Sequence, residues 1–286
     1  MREWSDGYVE WSDGNIVYIS VVFSWKLKKA QERINYFKSK NNYVIVGGPA
    51  VLYDQTYLSN VDEINLFMED IIAKHNPNAT FTTRGCIRKC KFCIVNKIEK
   101  EFLELNDWPI RPIICDNNLL VSSSKHFNSV IDKLKPLKGI DFNQGLDARL
   151  LTKEMASRLA ELDLYCVRLA WDHIKLEKDF LRAVDLFVSV GIPKKKIRTY
   201  ILIGYNDTPE DALYRLQTTK DLGMWPNPMR YQPLDVEKRN GYVDPNWTDR
   251  QLKNYMRYWS CLRYLEHIKF EDYDYQFMTK KRQQCL

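Results

Sequence analysis

Apolar and polar positions change period from block to block along this chain, and the blocks set an expected order of elements. Ile16-Val17-Tyr18-Ile19-Ser20-Val21-Val22-Phe23 is a short run rich in β-branched residues and predicts a buried strand. Residues 26–39 follow with Leu27, Ala30, Ile34 and Phe37 at helical spacing. Tyr43-Val44-Ile45-Val46 predicts a second strand, closed by a Gly47-Gly48-Pro49 turn, so this part reads as a βαβ unit. Ahead of it, Trp4-Ser5-Asp6-Gly7 is echoed by Trp11-Ser12-Asp13-Gly14. The two Asp-Gly steps beside aromatics predict tight turns and a hairpin.

From residue 79 onward, strand and helix periods alternate, the pattern of a parallel βα array. Strands are expected near 80–83, 113–116, 139–143, 166–170, 197–204 and 229–232. A helix around 125–134 ends near Pro136. Thr152 caps one with Met155, Leu159 and Leu162 on one face. Phe180, Leu181, Val184, Phe187 and Val188 stripe the next, which Gly191 terminates. Thr208-Pro209-Glu210-Asp211 opens another, with Leu213 and Leu216 on its apolar face and Gly223 at its end. After a turn-rich link through Asn240-Gly241 and Asp244-Pro245, Thr248 caps a last helix. Its stripe of Leu252, Tyr255, Met256, Trp259 and Leu262 reads as core packing, and Arg250, Lys253, Arg257 and Arg263 read as a solvated face.

Composition narrows the class. The 286 residues are 45% hydrophobic and 28% charged, the balance of a soluble globular protein with one large domain or a domain with appendages. No apolar run approaches the roughly 20 residues that span a bilayer. The start, Met1-Arg2-Glu3-Trp4-Ser5-Asp6, has no apolar signal core, so a cytoplasmic location is expected. The net charge of +6 is uneven. Arg84, Arg88, Lys89, Lys91, Lys97 and Lys100 form one group, Lys194, Lys195, Lys196 and Arg198 a second, and Lys280, Lys281 and Arg282 a third. Such groups either bind phosphate backbones and steer anions or are ordinary solvated surface. Cys115, Cys166, Cys261 and Cys285 are scattered and read as buried or idle thiols in a reducing compartment.

The other three cysteines carry the candidate chemistry. Thr80-Phe81-Thr82-Thr83-Arg84-Gly85 leads into Cys86-x3-Cys90-x2-Cys93, with Phe92 just before the last cysteine. Three thiolates this close can hold three corners of a metal centre. A structural zinc site takes four protein ligands, and no fourth Cys or His sits at zinc-finger spacing. A [4Fe–4S] cluster with three cysteine ligands keeps one iron open for a substrate or cofactor.

This loop resembles the cluster loop of the radical S-adenosylmethionine (SAM) superfamily. The resemblance implies a [4Fe–4S] cluster on Cys86, Cys90 and Cys93, with the amino and carboxylate groups of SAM on the open iron. A donor such as flavodoxin or ferredoxin would supply one electron. SAM would then split into methionine and a 5′-deoxyadenosyl radical that takes hydrogen from a substrate. The implied fold is α/β, a partial (β/α)6 TIM-like barrel over residues 79–235. It would be preceded by a βαβ extension at 1–78 and followed by a helix and tail at 236–286. The extension resembles a trimmed cobalamin-binding-type domain, but it lacks an Asp-x-His-x-x-Gly motif, so no cobalamin is expected.

The strand ends supply the remaining candidates, because ligands of parallel barrels gather at the carboxyl edge. Asp116, Asn117 and Asn118 stand where the family has a Gly-Gly-Glu-like segment, and either accept the SAM ammonium or form an Asx turn. Asp147 and Arg149 are candidates for the SAM ribose and carboxylate or for the substrate, and buried Arg168 needs a carboxylate partner. His173 is a proton-transfer candidate that more often proves structural. Leu202, in an element similar to the family's strand-five G-x-I-x-G, and Phe92 are expected at the adenine, with Tyr205 and Tyr231 as substrate contacts or packing aromatics.

The expected substrate is a nucleobase, nucleotide or nucleic acid, with no membrane partner. A peptide or small metabolite is the alternative, as is a non-catalytic iron–sulfur or zinc sensor that binds nucleic acid. Methylthio transfer is disfavoured, since it calls for a further cluster near the N-terminus and the first cysteine is Cys86.

Overall fold

A computed structural model describes residues 4–65 and 70–275. The chain parts into two compact units, Met1–Gln144 with Gln232–Gly241, and Gly145–Tyr231 with Tyr242–Leu286.

The first unit begins with the expected hairpin. Strands β1 (Tyr8–Asp13) and β2 (Ile16–Val21) run antiparallel with Asp13 opposite Ile16, so Gly14 and Asn15 form a two-residue turn. Val17, Ile19 and Val21 of β2 are buried in one cluster with Leu27, Ala30 and Ile34 of helix α1 (Leu27–Ser39). Strand β3 (Tyr43–Gly47) lies parallel to β2 and completes the βαβ unit. The turn after it requires glycine. Gly48 sits at φ 93, and a Cβ there would stand 2.6 Å from the Val21 carbonyl oxygen. Helix α2 (Pro49–Tyr53) and a short parallel strand β4 (Glu63–Ile64) follow, giving the order β1-β2-β3-β4. Helix α3 (Ile71–His75) ends on a buried histidine whose ring nitrogens meet Ser5 Oγ at 2.6 Å and Ser20 Oγ at 2.9 Å. Burial holds its pKa below the ordinary value, so at neutral pH His75 is an uncharged clamp.

The same unit continues through β5 (Ala79–Thr80), β6 (Thr83–Arg84), α4 (Val95–Ile98) and β7 (Leu103–Glu104), then β8 (Ile113–Ile114), α5 (Ser124–Leu134) and β9 (Lys138–Phe142). Strands β5, β8 and β9 are parallel neighbours. The single strand expected near 80–83 is instead broken in two. The buried Asp116 carboxylate takes the N–H groups of Thr82 and Thr83, which removes them from the parallel ladder, and Thr83–Arg84 pairs with β7 in an antiparallel ribbon.

The second unit holds α6 (Lys153–Ala160), β10 (Asp163–Ala170), α7 (Glu177–Ser189), β11 (Ile197–Ile203), α8 (Pro209–Asp221), β12 (Trp225–Arg230), α9 (Asp249–Ser260) and α10 (Leu262–Leu265). β10, β11 and β12 run parallel. All three predicted caps form: the Thr152, Thr208 and Thr248 hydroxyls accept N–H bonds from Met155, Asp211 and Gln251, the last as a full capping box. Two details differ from expectation. β12 starts at Trp225 rather than near 229, because Pro226 and Pro228 disguise it; as the last strand of its sheet it tolerates prolines. Val188 is exposed, and α8 buries Arg215 while Leu213 is only half-buried. α9 packs Leu252, Tyr255, Tyr258 and Trp259 inward and leaves Arg250, Lys253 and Arg257 exposed, and Arg263 of α10 is exposed too.

The protein is therefore mixed α/β: among the described residues the first unit pairs β2 with β3 and β3 with β4 in parallel and sets β5, β8 and β9 parallel, and the second unit sets β10, β11 and β12 parallel. Among the described residues no helix is long and apolar enough to cross a membrane.

Candidate functional site

The three-cysteine loop is an excursion tied at its base. The β6–β7 ribbon closes it, and the Glu99 carboxylate fastens it internally by accepting from the Arg84 guanidinium, the Gly85 amide at 2.5 Å and Asn117 Nδ2 at 3.0 Å. Gly85 has φ 77, and a Cβ there would fall 2.0 Å from the Glu101 carbonyl oxygen, so this turn also needs glycine. On the other side, Asp116 anchors the strand leading in. It accepts from Thr82 N at 2.6 Å, from Thr83 N at 3.0 Å and from the Thr82 hydroxyl. Burial raises its pKa, and these donors oppose the rise. His126 adds a contact of 3.0 Å to the Thr82 carbonyl oxygen.

Within the loop Cys86, Cys90 and Cys93 are half-buried. Cys93 N donates to the Cys90 carbonyl at 3.1 Å, which makes a tight turn, and Asn96 Nδ2 reaches the same carbonyl at 3.0 Å. Two N–H groups address Cys86 Sγ, the Arg88 amide at 3.3 Å and Asn118 Nδ2 at 3.5 Å. Phe92 is half-buried beside them in sequence. Among the described residues no group of three or more His, Cys, Asp or Glu side chains already stands as a metal-holding set. Lys89, Lys91, Lys97 and Lys100 are exposed, whereas Arg84 is engaged with Glu99 and lies over the Phe81 ring. Lys280, Lys281, Arg282 and Cys285 lie outside the described residues.

Of the candidates in this unit, Asp116, Asn117 and Asn118 therefore bond to the cysteine loop itself or to its approach. Glu99, the loop's internal fastener, was not singled out by sequence reasoning. Its only sequence signal was an acid soon after the third cysteine in a basic stretch.

The second unit carries its candidates in several places: Asp147 and Arg149 in the segment after β9, Arg168 within β10 and His173 after it, Leu202 within β11 and Tyr205 after it, and Tyr231 after β12. Arg149 and Asp147 satisfy each other in a bidentate pair, Nε to Oδ1 at 2.6 Å and Nη2 to Oδ2 at 3.0 Å. Arg168 is buried with its guanidinium 5.7 Å from the centre of the Tyr200 ring. Leu202 is half-buried on β11, and its carbonyl accepts from Arg215 at 2.9 Å. Tyr205 and Tyr231 have ring centres 4.6 Å apart, and Tyr242 meets Tyr231 edge-on. His173 Nδ1 accepts from Lys175 N at 3.1 Å, a capping role.

Sequence reasoning missed a buried ion pair. Arg215 Nη2 donates to Asp207 Oδ2 at 2.6 Å, and Nη1 donates to the Trp171 and Leu202 carbonyls at 2.8 and 2.9 Å. Asp207 Oδ1 takes the Gly204 amide at 2.9 Å and Trp247 Nε1 at 3.0 Å. The pair fixes the turn between β11 and α8.

Asp172, just beyond β10, is half-buried by area yet ringed by protein. Burial raises its pKa to about 6; Arg215 and Arg149 oppose the rise and Asp147 adds to it. The folded chain thus keeps this proton to higher pH than the unfolded chain. Its contribution declines as pH rises from about 4 to about 6, and the ionised form costs about 3 kcal/mol above that window. Asp172→Asn is expected to raise the melting temperature at neutral pH and to flatten its fall between pH 4 and 6. Thermal unfolding across that range measures both.

No family model matches the chain, and no curated protein matches it.

Proposed function

We propose that this protein is a radical SAM enzyme built on a partial (β/α)6 barrel. The observation that carries the reading is Cys86-x3-Cys90-x2-Cys93 on a loop whose base is fixed by Glu99 and Asp116, with two N–H donors on Cys86 Sγ. The donor set fits a three-cysteine cluster and falls short of a four-ligand zinc site.

Cys86, Cys90 and Cys93 would hold a [4Fe–4S] cluster, which, given one electron by a donor such as flavodoxin or ferredoxin, would supply reductive cleavage of SAM to methionine and a 5′-deoxyadenosyl radical able to take a hydrogen atom from substrate. Around it the chain's own residues bind and orient. The Arg88 amide and Asn118 stabilise charge on one ligating sulfur, and Glu99 keeps the Gly85 turn closed. The second unit, taken by itself, carries Asp147, Arg149, Arg168, Leu202 and Tyr231, whose charged and apolar side chains are those the family resemblance assigns to SAM and substrate. The exposed lysines of the cysteine loop favour an anionic substrate such as a nucleotide or nucleic acid.

The test is release of 5′-deoxyadenosine by anaerobically reconstituted protein given SAM and a strong reductant, with Cys90→Ala as control. Product from the wild type alone supports the reading. A bound zinc, or no SAM binding at all, overturns it.

A further inference from the structure

Four basic residues crowd the amino edge of the second unit's sheet. Lys194–Lys196 form one tight turn between Pro193 and β11, closed by Lys196 N donating to the Pro193 carbonyl at 2.8 Å. Arg198 follows as the second residue of β11. Its guanidinium donates to the Tyr165 hydroxyl at 3.0 Å and lies 5.1 Å from the centre of that ring. Tyr165, near the start of β10, is 48% exposed. Trp225, the first residue of β12, stands beside Arg198 in register and is half-buried. Lys194 and Lys195 are exposed, and Lys196 is half-buried.

Elsewhere in this unit Arg149, Arg158, Arg182 and Lys253 each stand within 4.0 Å of an acid. Among the described residues, none of the four cations at this edge forms an ion pair. Helices α7 and α8 end here, and their two dipoles together answer about one positive charge. Exposed Asp163 answers another, while Lys220 and Asp221 at the end of α8 offset each other. Roughly half of the four charges is left over, on a turn that the strand after it holds in place.

We infer that this edge is a docking surface for single-stranded nucleic acid, with phosphates on Lys194, Lys195 and Lys196 and a base stacked on Tyr165. Arg198 holds the ring in place, and a basic track beside an exposed aromatic grips a strand without reading its sequence. An acidic polypeptide would use the charge and leave the ring idle. The inference deepens the function proposed above and rests on that reading for the purpose of binding. It also separates a polymer from a mononucleotide as substrate. Leu202 and Tyr205 lie toward the other end of β11, about 20 Å away at about 3.3 Å per residue. One nucleotide is too short to touch both ends, whereas a strand reaches both.

The experiment is fluorescence anisotropy of the full chain with labelled strands of about twelve nucleotides, RNA and DNA of one mixed sequence, without SAM or reductant. Lys194→Ala, Lys195→Ala and Lys196→Ala combined are expected to make the slope of log affinity against log salt shallower by about two. Each phosphate contact on a single strand contributes about 0.7 to that slope. Lys153→Ala, Lys175→Ala and Lys178→Ala combined, which alter three exposed lysines of the same unit, are expected to keep the wild-type slope. Tyr165→Leu is expected to weaken binding about fivefold or more, and Tyr165→Phe, which keeps the ring, to preserve it. Tighter binding of either strand supports the inference and names the polymer. No binding of either overturns it, as does an unchanged slope in the first lysine set, an equal change in the second, or full affinity in Tyr165→Leu. Displacement of the strand by polyglutamate or by mononucleotides as readily as by unlabelled strand also overturns it, the former by assigning the edge to an acidic protein. Absence of 5′-deoxyadenosine in the separate activity assay bears on the radical chemistry and leaves these binding outcomes readable.

Discussion

Arg215→Met is expected to destabilise the second unit by about 3–5 kcal/mol, among the largest losses a single substitution can cause here. Both side chains of the pair are shut off from solvent, 0% exposed for Arg215 and 2% for Asp207. Methionine fills much of the space but donates nothing. The Asp207 carboxylate would be left buried without its cation, and the Trp171 and Leu202 carbonyls would lose a donor. Burial already pushes the Asp207 carboxyl up while Arg215 opposes the shift, so losing the cation would raise it further. The sign of the pH effect follows. A folded-state pKa above the unfolded one removes stability as pH rises, so the loss in Arg215→Met should be smaller at about pH 5 than at about pH 7.5. Adding Asp207→Asn should recover part of the loss by removing the charge while keeping an acceptor for Gly204 and Trp247. Urea unfolding followed by circular dichroism at the two pH values measures all three effects. A loss below about 1 kcal/mol would show that water or local rearrangement replaces the guanidinium.

Whether a feature could be seen in the sequence depended on how local its cause is. The caps at Thr152, Thr208 and Thr248 act over three residues, and the Gly14 turn over two, so their residue types announce them. The helical stripes of α1 and α9 were readable because burial repeats with the helix period. β12 was displaced because its prolines are tolerated only by a strand with an unpaired edge, a fact of sheet order. The break between β5 and β6 had a partner 33–34 residues away in Asp116, and Arg215 finds Asp207 across a turn. Polar partnerships of this kind have no period, and that is why Glu99, Asp207 and Arg215 went unnoticed while the cysteine spacing stood out. Among the strand-end candidates, Arg149 was expected at a carboxylate of SAM or of the substrate, and in the folded chain it pairs with Asp147, a second candidate.

Cys86→Ala is expected to leave anaerobically reconstituted protein with little or no bound iron and to abolish 5′-deoxyadenosine release. On the proposed reading each thiolate would hold one corner of a cluster with one open iron. Removing one would leave two anchors and a second unprotected iron, open to water and to loss of the cluster. The backbone should survive, since the loop is fastened by Glu99 through Gly85 and Asn117 and by Asp116 through Thr82 and Thr83, none of which uses the thiol. Asn118→Ala separates ligation from tuning. It keeps all three sulfurs and removes one of the two N–H donors on Cys86 Sγ, leaving the Arg88 amide at 3.3 Å. Iron should therefore be retained while the cluster's reduction potential becomes more negative, because a donor to a ligating sulfur favours the more negatively charged, reduced state. Iron analysis, the visible absorbance of the cluster and a redox titration of the two variants separate these outcomes. Full iron and undiminished product in Cys86→Ala would remove Cys86 from the metal centre, and with it the three-cysteine reading of the loop.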